Sequence, residues 1–259
     1  MIKVDNLSLT YGRGDRRVVV LRDLSFHLNV GEFVTIVGRS GSGKSTFLDL
    51  IMGLIQPTSG TIERRKKNLS IGYVFQRPAL LPWRNVLRNI YLPLQISGIS
   101  REDRRRMAME ALEKVGMGYA AHYLPFQLSG GMAQRVAIAR ALVQDPDLLL
   151  MDEPFSALDP MLRENMNVNL LRLWQRTGKT ILFVTHSIDE ALILSDRIVL
   201  LEEGKFLKEF EVDIPRPRGY ETFRTERFTE LNRIVRAHLP IQPNMPRIPS
   251  EDEDGVSDE

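Results

Sequence analysis

Short apolar runs alternate with segments of helical periodicity along most of the chain. Runs that are apolar at almost every position have the length of strands, and such strands lie between two layers of other elements. They are Phe33–Val37, Ile71–Phe75, Leu148–Met151, Ile181–Thr185 and Ile198–Leu201. Helical patterns follow Gly43, Gly131 and Ser187. This alternation predicts an α/β fold built on a parallel sheet.

The pattern differs at the start and in the middle of the chain. Up to about Phe33, apolar and polar positions alternate, which is typical of a small antiparallel sheet. Between Gln76 and Asp147, prolines and charged helical segments such as Arg101–Val115 replace the apolar runs. We therefore predict an inserted helical lobe at about residues 86–146.

The pattern weakens after the last strand. We place the main domain at residues 1–215 and a helical extension at 216–240, in which Thr225–His238 has the pattern of one amphipathic helix. Residues 241–259 are rich in proline and then in acidic residues, which predicts a disordered tail. A solvated chain end is our interpretation of the tail, and a regulatory arm is the alternative.

Composition and charge narrow the possible classes of function. The 259 residues carry a net charge of +2 and contain no cysteine, which excludes disulfides and thiolate metal sites. We find no leader and no apolar stretch near the ~18 residues of a membrane helix, so we expect a soluble protein or one held at a membrane by a partner. Basic clusters at Arg64–Lys67 and Arg101–Arg106 fit a solvated surface. Attraction to anionic headgroups or nucleic acid is the alternative, although no aromatic residues interleave with these clusters.

A phosphate-binding pattern follows the first apolar strand. It consists of Gly38, Arg39, Ser40, Gly41, Ser42, Gly43, Lys44 and Ser45, with a helical run from Thr46. Glycines let backbone amides turn inward, and the following helix offers its free amides and dipole to an anion. Lys44 supplies a charge for the β- and γ-phosphates of a nucleotide, and Ser45 supplies a hydroxyl for Mg²⁺. A chance match is the alternative, but the strand before the pattern and the helix after it argue against this.

Two acidic residues end a buried strand later in the chain. Asp152 and Glu153 follow Leu148–Met151, and ligands of α/β proteins bind at the carboxyl ends of strands. We expect Asp152 to orient Mg²⁺ and Glu153 to polarise the attacking water. Alone, such a pair is more typical of a cap. The phosphate-binding pattern favours the functional interpretation.

A third segment indicates a family. Leu128–Arg135 resembles the signature motif of ABC ATPases, with Met132 where glutamine or glutamate is common. The hydroxyl of Ser129, the glycines Gly130 and Gly131 and a helix N-terminus form a second phosphate site. The resemblance implies a P-loop NTPase with a RecA-like core, an N-terminal antiparallel β subdomain and an inserted helical subdomain. It also implies a head-to-tail homodimer, with each ATP between the phosphate loop of one subunit and the signature of the other.

Other ABC elements occur in the expected order. Tyr11 resembles the aromatic residue that stacks on adenine, and Gln76 resembles the glutamine that contacts Mg²⁺ and links to the helical lobe. Asp159, in the run Ser156–Asp159, resembles the loop that crosses the dimer interface. His186 resembles the switch histidine near the γ-phosphate. Taken alone, Tyr11 is equally compatible with stacking on adenine and with an ordinary surface position. A lone histidine after a strand is more often structural.

The residues after Gln76 indicate which ABC class is involved. The run Leu80–Val86 resembles the nitrate, sulfonate and taurine importer subfamily. Leu80, Leu81 and Trp83 would form an apolar groove for a membrane-spanning permease subunit; packing inside the helical lobe is the alternative.

The resemblance as a whole implies an ATP-hydrolysing transport subunit. It would lie at the cytoplasmic face of the inner membrane, peripherally, and energise the import of a small anion or organic solute. Its expected partners are a permease and an extracytoplasmic solute-binding protein, and we expect none among nucleic acids.

Three other classes remain as alternatives. The first is an ABC ATPase acting on DNA or ribosomes. Such proteins carry long insertions or a second cassette, whereas this chain has one phosphate loop and about 85 residues between that loop and the signature. The others are a lipid-trafficking or exporter ATPase and a regulatory module without turnover. Lys44, Asp152, Glu153 and His186 argue against the last.

Overall fold

The computed structural model describes residues 1–12 and 17–239. In this part of the chain, nine strands and eight helices form two sheets with helices packed around them. The strands are β1 (Ile2–Tyr11), β2 (Val18–Leu28), β3 (Phe33–Val37), β4 (Ser59–Arg64), β5 (Ile71–Val74), β6 (Leu148–Asp152), β7 (Thr180–Thr185), β8 (Arg197–Glu202) and β9 (Lys205–Glu211). The helices are α1 (Lys44–Met52), α2 (Val86–Ile90), α3 (Leu92–Ile96), α4 (Arg101–Lys114), α5 (Gly130–Leu142), α6 (Pro160–Thr177), α7 (Ile188–Leu194) and α8 (Glu226–Ala237). The tail predicted at residues 241–259 lies outside the described residues.

The larger sheet has six strands in the order β5-β6-β7-β3-β8-β9. Its first five strands are parallel and coincide with the five predicted apolar runs, except that Phe75 lies just after β5. β9, which none of the predicted apolar runs covers, pairs antiparallel with β8 at this edge. The cause is local, because Glu203 and Gly204 take φ angles of 46° and 73° and close a two-residue hairpin.

The smaller sheet contains three antiparallel strands in the order β2-β1-β4. It agrees with the alternating pattern predicted before Phe33. Phe26 of β2 packs edge-on against Phe47 of α1, with ring centroids 5.6 Å apart. Apolar residues of both sheets share one buried cluster with α1. This burial fixes the start of α1 relative to the large sheet.

Helices α2 to α5 form a lobe between β5 and β6, where the prolines and charged helical segments predict it. Ile90, Leu112 and Val136 are fully buried where α2, α4 and α5 meet. Ile138, also on α5, joins a different cluster that contains Phe33 of the large sheet. α5 therefore connects the lobe to the core.

The C-terminal segment packs against α7. Phe228, Leu231 and Val235 line the buried face of α8, and Thr225 caps its N-terminus, in agreement with the predicted amphipathic helix. The buried Arg218 side chain donates to four backbone carbonyls around the end of α7, and burial lowers its pKa to about 10. Domain boundaries at residues 215 and 240 stay predictions. Among the described residues, no helix combines the length and apolar character needed to cross a bilayer.

Candidate active site

The phosphate-binding pattern forms a tight turn between β3 and α1. Gly43 takes a φ of 103°, which favours glycine, and precedes the first residue of α1. A Cβ on Gly38 would lie 2.1 Å from the carbonyl oxygen of Leu201, so only glycine fits there. The buried Lys44 side chain turns back into the loop, and its Nζ donates to the carbonyls of Gly38 and Arg39 at 2.9 and 2.8 Å. The loop is thus closed around one buried cation.

The other residues of the pattern divide between surface and interior. Ser40, Gly41 and Ser45 are exposed, whereas Ser42 is buried and Thr46 is half-buried. Arg39 and Ser40 line an open cavity of about 970 Å³. The loop therefore presents part of its surface to a volume within the range of small-molecule sites.

Three adjacent strands bring the predicted residues to this cavity. β6, β7 and β3 are neighbours, and their carboxyl ends are level: Asp152 pairs with Val184, and Val37 pairs with Thr185. The register of β6 and β7 continues past the end of β6, because the Glu153 amide donates to the Val184 carbonyl at 3.0 Å. The edge where parallel strands end is the usual ligand site of this architecture.

Lys44, Glu153 and His186 form a continuous chain of polar contacts. Lys44 Nζ lies 3.0 Å from Glu153 Oε1, and His186 Nδ1 lies 3.1 Å from Glu153 Oε2. Glu153 takes a positive φ of 39°, an uncommon conformation for a non-glycine residue. Both carboxylate oxygens of Glu153 thus have partners, one at the start of α1 and one just after β7.

Asp152 and Ser45 form a second polar pair beside this chain. Ser45 Oγ donates to Asp152 Oδ1 at 3.0 Å. Burial raises the pKa of Asp152, although the bond from Ser45 opposes the shift. A hydroxyl and a carboxylate are hard oxygen donors, which Mg²⁺ prefers.

Gln76 is attached to the same region through a serine. Its Nε2 donates to Ser156 Oγ at 3.2 Å, and Ser156 Oγ donates to the Glu153 carbonyl at 3.0 Å. Gln76, Glu153, Ser156 and His186 all line the cavity. The motif run Ser156–Asp159 indicated that this segment belongs to the site. That Ser156 connects Gln76 to Glu153 was not predicted from the sequence.

Residues 21–156 match the sequence profile described as ABC transporter. This chain belongs to the ABC transporter family. It is 46% identical over 199 residues to the aliphatic sulfonates import ATP-binding protein SsuB of Granulibacter bethesdensis, an alignment covering 77% of this chain and 80% of SsuB. It is 40% identical over 253 residues to the taurine import ATP-binding protein TauB of Rhizobium johnstonii, an alignment covering 92% of this chain and 96% of TauB.

A solved ABC cassette has the same fold. The dimeric post-hydrolysis structure of MJ0796 bound to ADP and Pi superimposes with a TM-score of 0.74 at 36% identity. The match covers 83% of this chain and all of the MJ0796 chain. These matches confirm the predicted family, fold class and ATPase activity.

The signature residues of this ABC ATPase lie apart from the phosphate loop. Ser129 is exposed and caps α5, accepting from the Met132 amide at 3.3 Å. Gly130 is also exposed, whereas Gly131 is buried against Leu162 of α6. Within residues 1–12 and 17–239, the cavity lining does not include these signature residues. Of the two predicted phosphate-binding segments, the loop after β3 therefore borders the cavity and the signature segment does not.

Two further predicted nucleotide contacts of the cassette lie outside that lining in the described structure. Tyr11 is half-exposed at the end of β1, where it pairs with Val18. Asp159 is exposed and accepts from the Leu162 amide at 3.0 Å, so it serves as the N-cap of α6. Their roles toward nucleotide stay predictions.

A buried acid beneath His186 was not predicted from the sequence. Thr185 Oγ1 donates to the Glu190 carboxylate and accepts from the Ser187 amide. Burial raises the pKa of Glu190. The signal was present, because Ser187 and Glu190 have the spacing of a capping box, but Glu190 turns toward the strand end instead. The contact fixes the backbone from which His186 projects.

Proposed function

We propose that two copies of this ABC ATPase hydrolyse MgATP together and energise a membrane importer. The main support for this proposal is the Lys44–Glu153–His186 chain of contacts beside the cavity. The Ser129 segment is exposed and does not line that cavity. Two copies related head to tail would place Ser129 of one against nucleotide on the other. The dimeric MJ0796 structures support the pairing of two cassettes.

The residues at the cavity have complementary roles in the proposed hydrolysis. The phosphate loop from Gly38 to Thr46 binds the nucleotide phosphates, and Lys44 exchanges its contact with Glu153 for the β- and γ-phosphates. Glu153 is then free to accept the proton of the water that attacks the γ-phosphorus, giving ADP and phosphate. His186 orients Glu153 and contacts the γ-phosphate.

A divalent ion has suitable donors beside the loop. Ser45, Asp152 and Gln76 would hold Mg²⁺ through a hydroxyl, a carboxylate and an amide oxygen. The ion would supply charge neutralisation at the β- and γ-phosphates. Tyr11 is proposed to stack on the adenine, and Asp159 to contact the partner subunit near the nucleotide.

The segment after Gln76 is the proposed docking site for a permease. Trp83 is 73% exposed, whereas Leu80 packs on the apolar cluster of the helical lobe. Leu81 is half-buried between them. The proposed docking surface therefore consists of Trp83 and the exposed part of Leu81. Leu80 packs inside the helical lobe instead.

The names of the relatives support the transport assignment. SsuB and TauB are import ATP-binding proteins for aliphatic sulfonates and taurine. We propose that this chain likewise serves the import of a small anion or organic solute, at the cytoplasmic face of the inner membrane. A permease and an extracytoplasmic solute-binding protein complete the assembly.

The decisive test of hydrolysis is the substitution Glu153→Gln. It keeps the side-chain shape but removes the proton acceptor, so phosphate release at saturating MgATP should fall by about 10²- to 10⁴-fold while ATP binding persists. Glu164→Gln, at an exposed position on α6, is the matched control and should keep the wild-type rate. Near wild-type turnover by the Glu153 variant would show that another group accepts the proton.

A further inference from the structure

A second cleft lies behind the signature helix, away from the proposed nucleotide cavity. It has a volume of about 540 Å³ and is formed by the end of α4, the middle of α5 and the C-terminal half of α6. α4 belongs to the helical lobe, whereas α6 packs on the core beneath the large sheet. The cleft thus lies where the two units meet, at a size typical of small-molecule sites.

The floor of the cleft is apolar and its rim is basic. Buried Ile138, Met166 and Leu170 are among the residues of the floor. The charged lining residues are Glu113, Lys114, Arg135, Arg172 and Arg176. The four bases exceed the single acid by three charges. Such a combination suits a ligand with an apolar body and an anionic group.

The four bases have no carboxylate within 4.0 Å among the described residues. Lys114 and Arg176 lie in the last turns of α4 and α6, where the helix dipole favours a cation. Arg135 and Arg172 lie in helix interiors, so the dipole does not account for them. Arg135 Nε instead points at the sulfur of Met166 at 3.3 Å, a weak acceptor. Two guanidinium groups at this cleft therefore have unused capacity to bind an anion.

We propose that this cleft binds a soluble organic anion, with a carboxylate, sulfonate or phosphate group at Arg135 and Arg172 and an apolar body on Ile138 and Leu170. The anionic group of the ligand matches the excess of basic residues, and its apolar body matches the apolar floor. This site is separate from the proposed nucleotide cavity, and its occupancy does not depend on hydrolysis.

Occupancy also has a consequence for the ATPase. Arg135 lies six residues after Ser129 on the same helix, about 9 Å along its axis. A ligand that contacts α4, α5 and α6 resists any change in the angle between lobe and core. Its binding therefore slows hydrolysis wherever that angle must change.

The test measures binding to the nucleotide-free full chain by calorimetry. Hexane-1-sulfonate is the probe; hexan-1-ol lacks the charge, and hexylammonium reverses it. We expect only the sulfonate to bind. Arg172→Gln should weaken its binding about tenfold or more, because a charge-assisted hydrogen bond is lost. Arg105→Gln, at an exposed position on α4 outside the cleft, is the matched control and should bind like wild type.

A second variant tests the cleft by filling it. Asn169 is half-buried and lines the cleft, so Asn169→Phe should abolish sulfonate binding in a protein that still unfolds cooperatively. Equal binding by wild type, Arg172→Gln and Arg105→Gln would overturn the proposal, as would no binding of the sulfonate at millimolar concentration. Binding of vesicles containing phosphatidylglycerol without binding of the free sulfonate would assign the cleft to a lipid headgroup and also overturn it.

Discussion

At the scale of single residues, the polar groups at the strand ends neutralise one another. Lys44 is 4% exposed and contacts two loop carbonyls and Glu153, so its charge is compensated without nucleotide. Among the described residues, Asp152 accepts a side-chain hydrogen bond from the Ser45 hydroxyl alone, and burial raises its pKa. The ionised Asp152 carboxylate therefore costs folding free energy, which is typical of groups kept for function.

The substitution Asp152→Asn should expose this cost. A raised pKa means that the folded state disfavours the charged form, so the wild type is penalised at neutral pH, where the carboxylate is ionised. We expect the variant to increase the free energy of unfolding at pH 7 and to lose MgATP hydrolysis. The gain should shrink as pH falls through the raised pKa, where the wild-type carboxyl becomes protonated. Urea unfolding of both proteins at several pH values measures it, and a less stable variant at pH 7 would contradict the argument.

At the scale of elements, two helices hold the segment between Gln76 and α2. Asn89 of α2 is fully buried and donates to the carbonyls of Leu81, Arg84 and Asn85 while accepting from the Leu81 amide. From α5, Arg140 donates to two carbonyls of the same segment. Burial lowers the pKa of Arg140, and the two carbonyls satisfy its guanidinium as long as the segment stays in place. The position of Trp83 thus depends on polar anchors in the lobe.

Asn89→Ala tests this anchoring. The change leaves several backbone groups without partners, which should cost at least ~2 kcal/mol of unfolding free energy. The control, Asn68→Ala, alters an exposed asparagine and should change stability by less than ~0.5 kcal/mol. Urea titration of both variants gives the comparison. Equal stability would mean that water replaces the lost contacts.

The two signature glycines offer a matched pair on α5. A Cβ on Gly131 would lie 2.8 Å from Leu162 Cδ2, whereas a Cβ on Gly130 would meet Leu158 Cδ2 at 3.6 Å, an ordinary contact. We expect Gly131→Ala to cost about 1–3 kcal/mol of stability by pushing α5 from α6. Gly130→Ala should be close to neutral in the same unfolding measurement. If the two variants were equally stable, Leu162 would be able to move aside freely.

At the scale of the whole molecule, the proposed function depends on surfaces that one chain cannot complete. Ser129 is exposed apart from the cavity, and Trp83 is exposed on the segment after Gln76. We propose that the first contacts a second copy and the second contacts a permease. An isolated subunit therefore presents both halves of its proposed assembly to solvent.

Trp83→Ala should weaken the association with a permease. Tryptophans that become buried in an interface are frequent hot spots. We therefore expect the variant to lose about 2 kcal/mol or more of binding free energy, roughly 30-fold in affinity. Tyr220→Ala, a change of a half-exposed aromatic in the C-terminal segment, serves as the control and should leave association unchanged. Co-purification with a tagged permease and titration in detergent measure the effect. Unchanged binding of the Trp83 variant would move the docking surface elsewhere.

The fold class and the ATPase activity could be predicted from the sequence. Five apolar strands, the glycines of the turn before α1 and the pair Asp152–Glu153 were readable, because strand burial and phosphate binding restrict residue types over short spans. It also showed the family, through motifs that occur in a fixed order. The hairpin at Glu203–Gly204 was missed, since no asparagine or aspartate precedes its glycine.

Which polar groups meet depends on the tertiary structure. Lys44 begins the helix after β3, and Glu153 and His186 follow β6 and β7; the three side chains touch because β3, β7 and β6 are neighbours in register. The buried Asn89 and the basic cleft behind α5 likewise depend on helices that are distant in sequence. Contacts of this kind arise from packing between elements, which short-range patterns do not specify, because a pattern fixes the face of an element and not the neighbour that covers it.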